Sequence, residues 1–267
     1  MKAHIHSLHI YPIKSCQGIS LQTVELTATG FKYDRHWMLV DKQGKFISQR
    51  THPQLATIKT FLTTDCLTVE SHTSMLQIPL ETSDNRQMQV TIWNDKCSAA
   101  IVSSECSDWF SQFLDTECEL VFLPKSEKRQ VDPEYSTKNQ IVGFSDGFPL
   151  LVLSRASIDL LNTKLSQKAD IDRFRANIIL KGCPAHAEDN CSELSVNDIT
   201  ILLPKPCSRC IIPSIHQQNA EKYPEVLKAL AGYRKTGNHI YFGQNGVHLS
   251  EGIISIGEEI ELTEKPK

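Results

Sequence analysis

Two cysteines flank a serine and an arginine in Cys207-Ser208-Arg209-Cys210, within the stretch PKPCSRCIIPSI. Thiolates at this spacing can bind a metal, exchange as a redox disulfide, or fill space as inert buried thiols. A structural zinc site needs four ligands, of which the pair supplies two. The rest would come from GCPAHAEDNC, which offers Cys183, His186 and Cys191, at a spacing unlike the tight knuckles of zinc ribbons. A thioredoxin-like pair belongs between a strand and a helix, whose N-terminus lowers the thiol pKa. Here the following residues are IIPSI, β-branched and broken by Pro213, a poor start for a helix. A fourth reading makes one thiolate the ligand of a catalytic metal carried by a larger cofactor. The planar guanidinium of Arg209 would then pair with a phosphate or a pterin edge. That reading requires more basic residues converging on the same pocket.

The bulk numbers leave room for this. A chain of 267 residues makes one large or two ordinary domains, and 40% hydrophobic with 22% charged residues is the composition of a soluble globular protein. With 28 basic and 31 acidic residues the formal charge is -3, which offers no general electrostatic case for nucleic acid or a membrane surface. The opening MKAHIHSLHIYPIKS is broken by histidines and lacks the apolar core of a signal peptide. No apolar run reaches the roughly 18 residues that span a bilayer. The nine cysteines are therefore expected as thiols, their odd number also arguing against complete pairing, and the expected setting is the cytoplasm.

The elements that must position these groups read mostly as short strands. SLHIYPI is extended, with Pro12 at a strand end or edge. HWMLVDKQGKFISQR predicts a hairpin through DKQG, where Gly44 can take a positive φ. LATIKTFL, CLTVES, MLQIPL and MQVTIW predict further strands, and strands this close together indicate a barrel or sandwich rather than βαβ units. SDWFSQFLD predicts a short helix capped by Ser107. Residues 124–140 are polar and aperiodic, which predicts a solvated surface loop or domain connection. FPLLVLS predicts a buried strand, RASIDLLNTKLSQK an amphipathic helix, and RFRANIILKG and DITILLPKP strands. PEVLKALAGYRK predicts a helix from Pro224 to about Gly232. GIISIGEEIELTE predicts a closing hairpin through Gly257-Glu258. The class is α+β and β-rich, divided near residue 120.

The required basic residues are present, in an ordered set of motifs. LHIYPIKSCQG followed by GFKYDRHWMLVD resembles the N-terminal β-barrel domain of MOSC-type molybdenum proteins. FSDGFPLLVLSRASIDLLN, RFRANIIL and CSRC resemble the MOSC domain itself, as found in the amidoxime-reducing components and their bacterial two-domain homologues. The resemblance covers nearly the whole chain and implies a β-barrel-like domain over residues 1–120 and a MOSC β-barrel domain with a few helices over 121–267. It implies that Cys210 binds the molybdenum of a molybdopterin cofactor and that Ser208 and Arg209 contact that cofactor. Lys14, Ser15 and Arg35 match residues that grip its phosphate end, and Arg175 and Asn177 match pterin contacts. Asp146, in FSDGFP, matches an acidic residue beside the metal and is counted with Cys210 as catalytic.

The activity implied is reduction of N-hydroxylated or N-oxygenated small molecules. No iron–sulfur spacing and no G-x-G-x-x-G fingerprint is present, so a separate reductase or electron carrier is expected. Two other roles stay open: a carrier that binds the cofactor or transfers sulfur to it, with Cys207 as resolving thiol, and a zinc-stabilised interaction module. The sequence departs from its relatives at Pro213 and Ser214, where a pair of threonines is usual, and at Asn245, where the animal proteins place an aromatic. Taken singly, the basic residues also have plainer readings: Lys14 solvated, Arg35 paired with Asp34 or stacked on Trp37, Arg175 on a strand surface.

Overall fold

The structure, a computed structural model, describes residues 1–81, 86–136 and 140–265. Its first strand, β1 (Lys2–Ile10), accounts for the histidine-broken opening. Ala3 and Ile5 are buried and His4 is exposed, the period of two that a pleated strand imposes. A register shift between Ile5 and Ser7 then resets the phase, so Leu8 and Ile10 are buried as well.

The strands that follow are β2 (Ile19–Leu21), β3 (Thr23–Thr27), β4 (Gly30–Phe31), β5 (Trp37–Val40), β6 (Lys59–Leu62) and β7 (Cys66–Glu70). Next come β8 (Met75–Pro79), β9 (Gln87–Ile92), β10 (Asp95–Ile101), helix α1 (Ser104–Leu114) and β11 (Glu119–Phe122). The second half contributes β12 (Leu150–Ser154), α2 (Arg155–Asn162), β13 (Ile178–Lys181), β14 (Cys191–Val196) and β15 (Ile199–Ser208). It ends with α3 (Glu225–Arg234), β16 (Lys235–Thr236), β17 (His239–His248), β18 (Gly252–Ser255) and β19 (Glu259–Glu264).

Seven strands close into a barrel in the order β12–β13–β1–β19–β14–β15–β17, with β17 pairing back onto β12. Closure removes the sheet edges that an open array would expose. The apolar cluster of this barrel includes Ile5, Leu8, Val152, Ile178, Leu194, Ile201 and Ile260. A four-stranded sheet, β5–β11–β10–β9, carries α1, and Trp37, Leu39, Leu55, Phe110 and Leu120 belong to one buried cluster there. Two three-stranded sheets, β6–β7–β8 and β18–β3–β4, complete an α+β, β-rich fold. Because β1 pairs with β13 and β19, the opening strand of the first half belongs to the barrel of the second. No helix among the described residues is long and apolar enough to cross a membrane.

Several elements differ from the sequence expectation for identifiable reasons. The DKQG turn forms, and Gly44 has φ +76 with a Cβ position 2.1 Å from Gln89 O, so only glycine fits. Its return arm pairs back onto β5 through a Val40–Phe46 bridge, with Ile47 N donating to Leu39 O at 2.8 Å, but forms no full strand, and the amide of Phe46 donates to Thr91 O of β9. The first part of LATIKTFL belongs to a 3-10 turn, Pro53–Thr57, with Pro53 in its first positions. The cap of α1 is Ser103, which accepts from the amide of Cys106, while Ser107 lies inside the helix and meets Glu119 at 2.6 Å. Helix α3 continues through Gly232 to Arg234. Gly257 does turn the chain at φ +89, but β18 pairs with β3 and β19 with β1 and β14, so the turn passes between sheets. In the polar stretch 124–140, Arg129 is 5% exposed rather than solvated. Residues 137–139 of that stretch lie outside the described residues.

Candidate functional site

A cleft of about 380 Å³ opens where the exit of β15 meets loops from both halves of the chain. All nine residues singled out from the sequence line it: Lys14, Ser15, Arg35, Asp146, Arg175, Asn177, Ser208, Arg209 and Cys210. Three of them hold left-handed backbone without being glycine: Ser15 at φ 78, Arg35 at φ 46 and Arg175 at φ 54. Each such residue costs on the order of 1 kcal/mol or more, and such outliers concentrate where a site demands a particular side-chain direction.

At one end two guanidinium groups lie over a single ring. Arg35 and Arg175 are each 4.3 Å from the centroid of buried Tyr11. Gly18 permits this, since a Cβ there would come 2.5 Å from the Tyr11 ring. Arg35 pairs with Asp34 at 2.6 Å and donates to Arg175 O at 2.9 Å. Of the plainer readings, the Asp34 pair is present, and the aromatic partner is Tyr11. Arg175 donates through Nη1 to Cys16 O at 2.7 Å, while its buried Nη2 has no partner among the described residues. Burial, together with the charge of Arg35, pushes the Arg175 guanidinium down to about 10. Asn177 has its amide held at both ends: Oδ1 accepts from Leu151 N and Arg35 Nη1, and Nδ2 donates to His9 O. It positions Arg35 from within the wall.

At the other end lie the sulfurs, each with its own arginine. Cys207 Sγ accepts from Arg209 Nη1 at 3.2 Å, and Arg209 Nη2 donates to Phe174 O at 2.8 Å. The Arg209 Nε atom is buried without a partner among the described residues. Ser208 Oγ meets His239 Nδ1 at 3.1 Å. Cys210 Sγ accepts from Arg50 Nη2 at 3.4 Å, and the same nitrogen lies 3.3 Å from Asp146 Oδ2. The other oxygen of Asp146 accepts from Lys14 Nζ at 2.5 Å. Lys14 is 7% exposed, also donates to Phe144 O, and is lowered by burial against the pull of Asp146. Partial desolvation raises the Asp146 carboxyl, but Lys14 and Arg50 outweigh it and hold the group well below the usual carboxylate range. Arg129 fixes the segment that carries Asp146, donating to the carbonyls of Gly143, Ser145 and Asp146.

The zinc arrangement does not assemble. Cys183 and Cys191 are buried with the barrel's apolar residues, whereas Cys207 and Cys210 line the cleft. Among the described residues no three His, Cys, Asp or Glu side chains come together as a metal site. Sequence reasoning missed Arg50 and Trp93, which form the wall facing Cys210. Both ended stretches read as strands, HWMLVDKQGKFISQR and MQVTIW, and a charged or aromatic residue at a strand exit was the available signal.

Residues 2–117 match the MOSC N-terminal beta barrel domain and residues 139–261 match the MOSC domain. The chain is 30% identical over 279 residues to mitochondrial amidoxime-reducing component 1 of Mus musculus, covering 97% of this chain and 82% of that protein. It is 31% identical over 242 residues to mitochondrial amidoxime reducing component 2 of Bos taurus, covering 86% and 72%. A molybdenum cofactor sulfurase of Oryza sativa subsp. japonica is 30% identical over 263 residues, which are 90% of this chain but 32% of that protein.

Proposed function

Since the chain belongs to the MOSC family, in the form that carries a MOSC N-terminal beta barrel, we propose that its cleft holds a molybdenum cofactor and reduces N-hydroxylated compounds. The observation that carries this reading is the convergence of nine residues, chosen from separate motifs, on one cleft. Five cationic side chains and, among the described residues, a single carboxylate line it. The unpartnered Arg175 Nη2 and Arg209 Nε are buried donors on cations, costly unless an anionic ligand accepts from them. These donors suit the phosphate and pterin of a molybdopterin. We also propose residues 1–120 and 121–267 as the two domains of the sequence, β1 being lent to the second. The thiol-rich composition supports a cytoplasmic setting.

In this reading Cys210 holds the metal, and Lys14, Ser15, Arg35, Arg175, Ser208 and Arg209 hold its organic carrier, with Asn177 orienting Arg35. When bound, the cofactor supplies the electrons that break the substrate's N–O bond. The chain's own work is placement and charge. Asp146 is held ionised, so it accepts hydrogen bonds from the N–H groups of an N-hydroxylated amidine or base and does not donate a proton itself. Its side chain is 54% exposed, so substrate reaches it from solvent, and water at the mouth supplies the protons that leave with oxygen. Electrons come from a separate reductase or small carrier.

A second reading, binding or sulfur transfer without reduction, draws on Cys207, which also lines the cleft beside Arg209. Protein made in a molybdate-competent host is assayed for molybdenum, pterin and turnover of an N-hydroxylated amidine with a chemical reductant. Molybdenum near one per chain with turnover that Cys210→Ala abolishes supports the enzyme. Loaded protein without turnover favours the carrier, and an active Cys210→Ala beside a dead Cys207→Ala overturns the ligand assignment.

A further inference from the structure

Arg50 lies outside the set that the family resemblance assigns, yet its side chain donates to Cys210. Its Nη2 atom reaches both Cys210 Sγ, at 3.4 Å, and Asp146 Oδ2, at 3.3 Å. Its guanidinium carbon lies 4.6 Å from the centre of the Trp93 ring. Trp93 stands at the tip of the β9–β10 hairpin in left-handed backbone, φ 57, and is 50% exposed. The arginine is thus fixed from two sides, by an aromatic platform and by a carboxylate that Lys14 holds from its other oxygen. A flexible surface cation would have neither.

We propose that Arg50 is a positioning residue that sets the electron affinity of a metal held by Cys210, through a charged N–H···S hydrogen bond to that sulfur. The proposal rests on the reading of the cleft given above. Hydrogen bonds to a ligand sulfur and charge close to it are among the protein's levers on a metal–thiolate potential. A donor and a full positive charge at the sulfur favour the state that holds one more electron. Arg50 itself is neither oxidised nor reduced, and its guanidinium keeps its proton throughout. Stacking on Trp93 matters because a planar, preoriented fork keeps one nitrogen aimed at two acceptors, which a lysine ammonium on a flexible stem does not.

The test compares loaded wild-type protein with Arg50→Gln and Arg50→Lys, measuring molybdenum and pterin content and the midpoint potential followed by the Mo(V) paramagnetic signal. Dithionite supplies the electrons and ferricyanide removes them, with mediators present. Arg50→Gln is expected to carry the wild-type metal content and a more negative midpoint, and Arg50→Lys to lie between the two. Should Arg50→Gln fail to load, Trp93→Leu keeps the charge but removes the platform, and a smaller shift in the same direction is expected. A loaded Arg50→Gln chain with the wild-type potential, or a loaded Trp93→Leu chain with no shift, overturns the role of Arg50 alone. A wild-type chain that takes up no molybdenum overturns the reading of the cleft itself.

Discussion

Replacing Arg129 by methionine tests whether a residue outside the cleft holds its acidic wall in place. Arg129 Nη1 donates to Gly143 O at 2.7 Å and to Ser145 O at 2.5 Å, and Nη2 donates to Asp146 O at 3.1 Å. Its Nε meets Asp95 Oδ2 at 2.8 Å. Methionine fills a comparable volume but leaves three carbonyls without donors, at about 1–3 kcal/mol each, or roughly 3–9 kcal/mol together. Local relaxation and entering water reduce that sum to about 3–5 kcal/mol, the usual cost of removing one member of a buried charged network. The Asp95 pair adds little, since that carboxylate is 51% exposed. For a chain of this size such a loss lowers the melting temperature by about 6–20 °C. Urea and thermal unfolding of the cofactor-free protein measure it. A midpoint within about 2 °C of wild type would refute the argument that this network, and not the loop's surface position, fixes residues 143–146.

Three further outcomes are expected. Burial, with Lys125 adding to it, pushes His36 from 6.5 down to about 4. The folded state therefore binds fewer protons than the unfolded chain over that interval. Stability from this group is complete above about pH 6.5 and lost as pH falls toward 4, so His36→Phe, which keeps a ring against Trp37, should flatten the pH dependence of urea midpoints; an unchanged slope counts against it. Arg175→Met removes a buried cation that has no carboxylate partner among the described residues, but also takes the donor from Cys16 O. The two effects offset, so the stability of cofactor-free protein should change by less than about 1 kcal/mol while molybdenum uptake falls. A destabilised variant that loads normally would contradict this. Gly44→Ala forces a Cβ toward Gln89 O in left-handed backbone and should cost about 1–3 kcal/mol in a urea melt; a change under about 0.5 kcal/mol would show that the turn yields.

Much of the cleft was legible because its residues leave strands in recognisable company. Lys14 and Ser15 come after β1, Arg175 and Asn177 precede β13, and Ser208 to Cys210 lie at the end of β15 and just beyond it; each is weak alone, and the ordered set of motifs that resembles the MOSC proteins marked them. Arg50, Trp93 and Arg129 were not legible, for a different reason. A solitary arginine or tryptophan carries no periodicity, and Arg129 lies in a polar stretch that reads as solvated although three carbonyls enclose it. The barrel was legible through the resemblance and its strands one by one, but not which strands pair. A period of two marks β1 as extended, yet nothing local says that its partners lie at residues 178–181 and 259–261. Strands β10 and β17 escaped because one is rich in small residues and the other contains Gly243 and Gly246, which weaken strand signals.

The pairing of β1 with β13 also explains why groups so far apart in sequence can form one site. Tyr11 follows β1 directly, and its hydroxyl donates to Ala176 O, just before β13. Its ring therefore sits where Arg35 from the first half and Arg175 from the second can both lie over it. Two like charges on one ring repel, and Asp34 is the one carboxylate paired with either of them among the described residues. A stability-optimised core would place an apolar residue at one of these positions. The left-handed backbone at Ser15, Arg35 and Arg175 adds strain at the same place. Strain and excess positive charge concentrated on the rigid seam between β1 and β13 are what a preorganised anion site requires, because the ordering is complete before the ligand arrives.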